Sequence, residues 1–138
     1  MSRNHVHVVA AVIENEANEI FCALRSATMK LPKLWEFPGG KVEVGEDAFT
    51  ALKREIKEEL SCEVELADEI FQEVIYDYPT FTINLTAIKA KLKHGMPSAL
   101  EHSAVIWLKP DYLETLNWAP ADLPIVEALQ KETNGSQL

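Results

Sequence analysis

Pro38-Gly39-Gly40-Lys41-Val42-Glu43-Val44-Gly45-Glu46-Asp47, leading to Arg54-Glu55-Ile56-Lys57-Glu58-Glu59-Leu60, is the stretch from which the rest of the chain can be read. Pro-Gly-Gly marks a change of chain direction. Asp47 is a good helix N-cap, and Phe49, Leu52, Ile56 and Leu60 recur at 3, 4 and 4 residues, so a helix is predicted from Asp47 to about Leu60. On it Glu55, Glu58 and Glu59 stand at i, i+3 and i+4, within one arc of about 100° beside the apolar stripe. Like charges at these spacings cost a few tenths of a kcal/mol per pair, and the basic neighbour four residues from Glu58 is Arg54, while Lys53 and Lys57 project on the opposite flank. Such a face is either solvated or built around a cation. Clustered carboxylate oxygens suit Mg²⁺ or Mn²⁺. Glu46, nine residues before Glu55, and the Gly39-Gly40 turn, whose backbone can come close to what the helix holds, favour convergence on a cation.

Upstream, Val6–Ile13 and Ile20–Leu24 are short apolar runs joined by polar residues 14–19, the pattern of a β-hairpin. Residues 26–33 have no period and lead into Leu34-Trp35-Glu36-Phe37, as a loop entering a site would. Downstream, 63–77 and 82–92 are strand-like on either side of Tyr78-Pro79-Thr80, and Ala104–Leu108 is a further strand. Pro110–Thr115 is predicted as a short helix, and Asp122 precedes a longer one with Ile125, Val126 and Leu129 on one face and Pro124 in its first turn. Strand runs with two main helices predict an α/β sandwich, a mixed sheet between helices. One domain over residues 1–132 with a flexible tail, 133–138, is the expected organisation.

The 138 residues, 47% hydrophobic and 25% charged, suit one compact domain rather than a disordered chain. Thirteen Lys and Arg against 22 Asp and Glu give a net charge of −9, which repels phosphate backbones and anionic lipid, so neither polymeric nucleic acid nor a membrane is an expected partner. No signal peptide or membrane span is read at the start, which makes a cytoplasmic protein the simplest expectation. Cys22 and Cys62 lie in apolar segments without metal-ligand spacing and read as small core residues.

The central stretch resembles the box of the Nudix family: Gly, five residues, Glu, seven residues, Arg-Glu, an aliphatic, any residue, Glu-Glu, any residue, Gly, an aliphatic. Here it runs from Gly40 through Glu46 and Arg54-Glu55-Ile56-Lys57-Glu58-Glu59 to Cys62 with complete spacing. It departs at Ser61 and Cys62, which replace the final Gly and aliphatic, so the left-handed helix end that Gly favours has no support from residue type. Asn18-Glu19-Ile20-Phe21, Arg25, Leu34–Lys41, Glu101 six residues before Trp107, and Ala119-Pro120-Ala121-Asp122 are similar to the MutT subgroup, so the likeness extends from about Val6 to Leu129.

The resemblance implies a Nudix-type α/β/α sandwich and hydrolysis of a nucleoside triphosphate to monophosphate and pyrophosphate with Mg²⁺ or Mn²⁺. It implies that Glu55, Glu58, Glu59 and the carbonyl of Gly39 hold the metal, that Glu101 is a further ligand or the base that activates water, and that Arg54 braces the helix. Glu46 is expected to assist near the helix start. Arg25 matches a substrate-contacting position, and Lys41 is the other basic residue nearby, against a reading as a solvated strand end. Trp35, Phe37, Tyr78 and Phe81 offer aromatic surface or core; Phe37 and Phe81 are kept as substrate candidates. Asp122 matches a residue that reads the base, and its place before Leu123-Pro124 also suits a helix cap. An oxidised purine such as 8-oxo-dGTP, or CTP or a 5-substituted dCTP, are the substrate expectations; a ligand-sensing or protein-binding module without turnover is the alternative of another class. The oligomeric expectation is monomer or homodimer.

Overall fold

The computed structural model describes residues 4–98 and 101–136. Its spine is β1 (Asn4–Glu14), which alternates sides with the period of two that a strand imposes: Val9, Ala11 and Ile13 pack to one face, Ala10 and Val12 to the other. A strand buried on both faces needs apolar residues at every position, which explains the uninterrupted run Val8–Ile13 in its second half. β2 (Ile20–Leu24) divides in the same way, with Phe21 and Ala23 on the first face and Ile20 and Cys22 on the second. Both cysteines are free, and burial pushes the Cys22 thiol up to about 12, as expected of a core residue.

The remaining strands are β3 (Trp35–Glu36), β4 (Gly39–Lys41), β5 (Glu63–Leu66), β6 (Gln72–Asp77), β7 (Phe81–His94) and β8 (Ala104–Leu108). β1 pairs parallel with β7 from Asn4↔Phe81 to Glu14↔Lys91, and antiparallel with β4 at Val9↔Gly40. β7 carries β6 and β5 on its other side, while β2 carries β3 and β8. The expected hairpin is present, although β1 and β2 pair only at Glu14↔Ile20 among the described residues before diverging to other partners.

Helix α1 (Ala48–Glu59) begins at Asp47, whose carboxylate accepts the Thr50 N–H at 2.7 Å, and buries Ala51, Leu52 and Ile56 on one face of the sheet. Burial of Leu52 and Ile56 stabilises by about 1.5–3 kcal/mol each, and Leu52→Ala is expected to cost about 2–5 kcal/mol. The helix ends with Ser61 at φ +54°, so the left-handed turn is made without the glycine that residue type would call for. Helix α2 (Leu123–Ser136) covers the other face through Ile125, Val126 and Leu129, after 3-10 turns at Pro110–Thr115 and Pro120–Asp122. Its backbone continues through most of the segment read as a flexible tail, 133–138, whose last two residues lie outside the described ones. The architecture is the expected α/β/α sandwich with a mixed sheet. No helix among the described residues is long and apolar enough to cross a membrane.

Candidate active site

Arg54 organises the acids. Its Nε and Nη2 donate to the two oxygens of Glu46 at 2.8 and 2.9 Å, Nη1 donates to Glu55 Oε1 at 2.9 Å and to Glu58 Oε2 at 3.4 Å, and Nη2 reaches the Lys41 carbonyl at 3.1 Å. Helical spacing alone predicts Glu58 as the partner of Arg54. The long guanidinium arm also takes Glu55, the next residue along, and Glu46 from the loop before the helix. That pairing holds the Glu46 carboxyl well below the usual carboxylate range, at about 2, with the Glu43 N–H adding a bond at 2.9 Å. Glu46 thus faces Arg54 and ties the loop before α1 to the helix, while the Arg54 bond to the Lys41 carbonyl joins the helix to the end of β4.

Neither glycine of β4 leaves room for a side chain unless a neighbour moves. A methyl on Gly39 would lie 1.9 Å from the Val9 carbonyl oxygen, and one on Gly40 would lie 2.3 Å from Glu55 Cδ. Gly40 therefore lets the Glu55 carboxylate rest against the strand, where its side chain is only 12% exposed. Glu58 stands outward at 61% exposure. Burial first, and then the negative charges of Glu101, Glu55 and Glu58, hold the Glu59 carboxyl above the usual range, with His102 acting the other way. Glu101, exposed in the loop before β8, is thereby brought into the electrostatic neighbourhood of the helix acids.

Whether these groups suit a divalent ion is decided by their chemistry. Among the described residues no three His, Cys, Asp or Glu side chains already surround one point, and the Arg54 guanidinium takes Glu55 Oε1 and Glu58 Oε2 instead. The second oxygen of each carboxylate makes no hydrogen bond among the described residues. With Glu59 and Glu101 they form an all-oxygen, strongly negative donor set, which fits Mg²⁺ or Mn²⁺.

Beside the acids opens a cleft of about 330 Å³, floored by β1 and β4 and walled by Arg25, Lys30, Glu36, Tyr78, Phe81 and Asp122. Arg25, Lys41, Phe81 and Asp122 all line it, as do the glycines of β4. A wider concavity of about 640 Å³ lies at Lys53, Lys57, Cys62 and His94, on the flank of α1 away from the acids, and contains none of the candidate residues.

Asp122 is buried at 6% exposure and accepts the Phe37 N–H at 3.4 Å. Burial first, and then the nearby Glu36 charge, push its carboxyl well above the usual carboxylate range, while the Phe37 N–H and Arg25 act the other way. That bond crosses 85 residues and is the one hydrogen bond of the side chain among the described residues, so Asp122 spends itself on the cleft rather than on the first turn of α2. Phe37 contributes its backbone here: its ring is core, stacked on Trp118 at 4.6 Å. The Tyr78 ring stacks on Phe81 at 5.0 Å, and its hydroxyl accepts the Ala121 N–H at 3.1 Å, which ties the β6–β7 turn to the segment bearing Asp122. Lys41, exposed at the end of β4, reaches both regions, its carbonyl bonded to Arg54.

Glu36, His102 and Lys30 carry no role in the sequence pattern, yet each makes a contact at the site. Glu36 bridges Arg25 at 2.6 Å and His102 at 2.7 Å, and Lys30 sits over the Phe81 ring at 5.5 Å. An acid alternating with apolar Trp35 and Phe37, and a histidine beside Glu101, were the available signals.

The NUDIX domain family matches residues 9–128. The chain is 37% identical over 123 residues to the CTP pyrophosphohydrolase of Escherichia coli, covering 89% of this chain and 90% of that one. It is 31% identical over 134 residues to an 8-oxo-dGTP diphosphatase of Haemophilus influenzae, covering 97% and 98%. Its structure is similar to that of the MutT protein of methicillin-resistant Staphylococcus aureus, with a TM-score of 0.79 at 40% identity over 95% of this chain and 99% of that one. The box of acids on α1, the sandwich that presents it and these likenesses along nearly the whole length show that the chain belongs to the Nudix family.

Proposed function

We propose that the protein is a divalent-metal-dependent nucleoside triphosphate pyrophosphohydrolase, converting a triphosphate and water to monophosphate and pyrophosphate, and that it acts on an oxidised or modified nucleotide such as 8-oxo-dGTP. The observation that carries this reading is the contact of Gly40 with Glu55: β4 is at once the floor of the cleft and the surface on which the acid helix rests. A nucleotide whose base lies by Asp122 would extend its phosphates past Arg25 and Lys41 toward Glu55, Glu58 and Glu59.

Phosphoryl and nucleotidyl transfer need charge neutralisation and an aligned water more than covalent work by the protein. A bound Mg²⁺ or Mn²⁺ supplies that neutralisation and the activation of water. Glu55, Glu58 and Glu59 would hold it, with the Gly39 carbonyl and Glu101 as further donors or Glu101 as the base. Arg54 and Glu46 keep the helix acids in register with β4. Arg25 binds phosphate, Phe81 packs the nucleoside, and the Asp122 carboxyl, oriented by the Phe37 N–H, is turned to the base edge. The nucleotide pool such an enzyme serves is cytoplasmic, and the reading needs neither membrane nor polymeric nucleic acid; one chain, alone or in a homodimer, holds every group named.

A second reading, a CTP or 5-substituted dCTP pyrophosphohydrolase, is favoured by the 37% identity to the enzyme of that name. One panel separates them: initial rates with 8-oxo-dGTP, dGTP, CTP, dCTP and 5-methyl-dCTP, with and without Mg²⁺, and chromatography of products. Pyrophosphate and monophosphate are expected, from 8-oxo-dGTP fastest. Preference for CTP selects the second reading, and metal-dependent nucleotide binding without turnover selects a sensing module.

A further inference from the structure

We propose that Glu36 and His102 are positioning residues that anchor the Glu101 loop and tie it to Arg25 in the cleft; this rests on the reading of Glu101 as part of the catalytic centre. Each oxygen of Glu36 has its own partner: Oε1 accepts from Arg25 Nη1 at 2.6 Å, and Oε2 meets His102 Nε2 at 2.7 Å. The His102 side chain is only 7% exposed, Glu36 19% and Arg25 21%, so the chain of contacts is largely shielded from water.

The topology explains how residues 66 positions apart meet. β3 and β8 flank β2 on opposite sides, Glu36 pairing with Ala23 and Val105 pairing with the same Ala23. Two strand spacings, roughly 10 Å, separate those neighbours. Directly paired residues share a face of the sheet, so Glu36, the small and fully buried Ala23, and Val105 lie on one face, with the loop carrying His102 leading into β8. The loop is pinned once more by the Ser103 N–H donating to the Leu24 carbonyl at 2.9 Å. Glu101 itself is exposed and makes no hydrogen bond among the described residues, so the anchor beside it sets where its carboxylate stands. A single carboxylate, Glu36, thus registers the phosphate-side arginine against the acid-bearing loop.

The test compares kcat, KM and melting temperature for wild type, His102→Ala, His102→Gln, Glu101→Gln and the His102→Ala/Glu101→Gln double variant. His102→Ala is expected to lower kcat at least about tenfold while KM moves less than about threefold, as misplacement of a reacting group does. Gln, whose amide can donate to Glu36 from near the Nε2 position, should restore most of it. In the Glu101→Gln background the His102→Ala loss should shrink below about twofold, because the residue being positioned is gone. A kcat within about twofold of wild type, or an undiminished loss in that background, would overturn the proposal. Unchanged kcat in Glu101→Gln beside a loss in His102→Ala identifies the placing of Glu101 as what failed, and the positioning role falls with it. Should His102→Ala not fold, Glu36→Gln decides: it must lower kcat and raise KM together, since it loosens both partners, and a change in KM alone overturns the coupling.

Discussion

The acid helix and the cleft beside it are built on opposite plans. Glu55, Glu58 and Glu59 come from a single helix of 12 residues, and their relation is fixed by helical spacing before any tertiary contact forms. The walls of the cleft come from residues 25–41, 78–85 and 119–122, and are held by bonds such as Phe37 N–H to Asp122 that no local pattern specifies. The helix region carries mainly carboxylates and is partly exposed, whereas the cleft mixes Arg25, Lys30, Glu36 and Asp122 with the rings of Tyr78 and Phe81. Under the proposed function, chemistry that any triphosphate needs is encoded locally, whereas the discrimination between triphosphates is left to long-range packing. Mutations should split accordingly, into losses shared by all substrates and losses that change their ranking.

The sharpest division is expected at Glu58→Gln. With its side chain 61% exposed and joined to Arg54 only at 3.4 Å, Glu58 contributes little to folding. Turnover should fall at least about a hundredfold, about 2.7 kcal/mol of barrier, for every substrate, with the melting temperature unchanged or slightly raised. Initial rates and thermal denaturation check this; more than about a tenth of the activity remaining removes Glu58 from the catalytic centre. The two glycines of β4 sharpen the same division. Gly40→Ala pushes against the movable end of Glu55, so the protein should fold and lose roughly tenfold or more in kcat. Gly39→Ala meets the Val9 backbone, so it should lower the melting temperature instead. Equal behaviour of the two variants would show that β4 does not separate cleft from acids.

This contrast also governs what was legible from sequence. The α1 boundaries, the β8 run and the apolar runs of β1 and β2 follow from residue type, period and capping, because those depend on neighbours within a few residues. The partners of β1 do not: its long parallel pairing with β7 joins segments some 77 residues apart, between Asn4 and Phe81, and no periodicity announces it. The helix acids were legible for the same local reason. Phe37 illustrates the opposite case: its type leaves aromatic surface and core both open, and the structure stacks the ring on Trp118 and leaves the N–H to face Asp122. Glu36 and His102 remained silent because each is ordinary by itself and gains meaning only across β2.

Substitutions of Asp122 probe the cleft plan. Asp122→Ala should narrow the ratio of kcat/KM between preferred and poor nucleotides by about tenfold or more, because a site that hydrogen-bonds a base edge discriminates through groups left unpaired by the wrong base. An unchanged ratio with lower stability would return Asp122 to a purely structural role. Asp122→Asn adds a sign: a carboxyl raised by burial contributes stability that is complete below its unfolded pKa and is lost as pH rises through the folded one. Relative to wild type, Asn should thus raise the melting temperature more at pH 8 than at pH 4.

Glu46 gives the opposite sign on the acid side. Its carboxyl is held near 2 by Arg54 against an ordinary 4.5, so its contribution is present above about 4.5 and fades as pH falls toward about 2. Melting curves of wild type and Glu46→Gln should lie apart at pH 5 and converge by pH 2. A gap that stays constant over that range would mean that Arg54 is replaceable as a brace.

Ser61 offers the smallest effect and the finest test of local encoding. The turn that ends α1 stays left-handed, φ +54°, although the residue is not glycine, so the surrounding structure imposes the conformation that residue type does not favour. A non-glycine residue in that region costs about 1–2 kcal/mol, and glycine returns about 0.4–1 kcal/mol of it as extra freedom in the unfolded chain. Ser61→Gly should therefore stabilise by about 0.5–1 kcal/mol, a rise of about 2–4 °C in melting temperature, with kcat and substrate ranking untouched. The Ser61 hydroxyl makes no hydrogen bond among the described residues that the change would sacrifice. A fall in melting temperature would mean that the loop following α1 relies on the serine itself, and a change in kcat would mean that the register of the helix acids depends on how the helix ends as well as on how it begins.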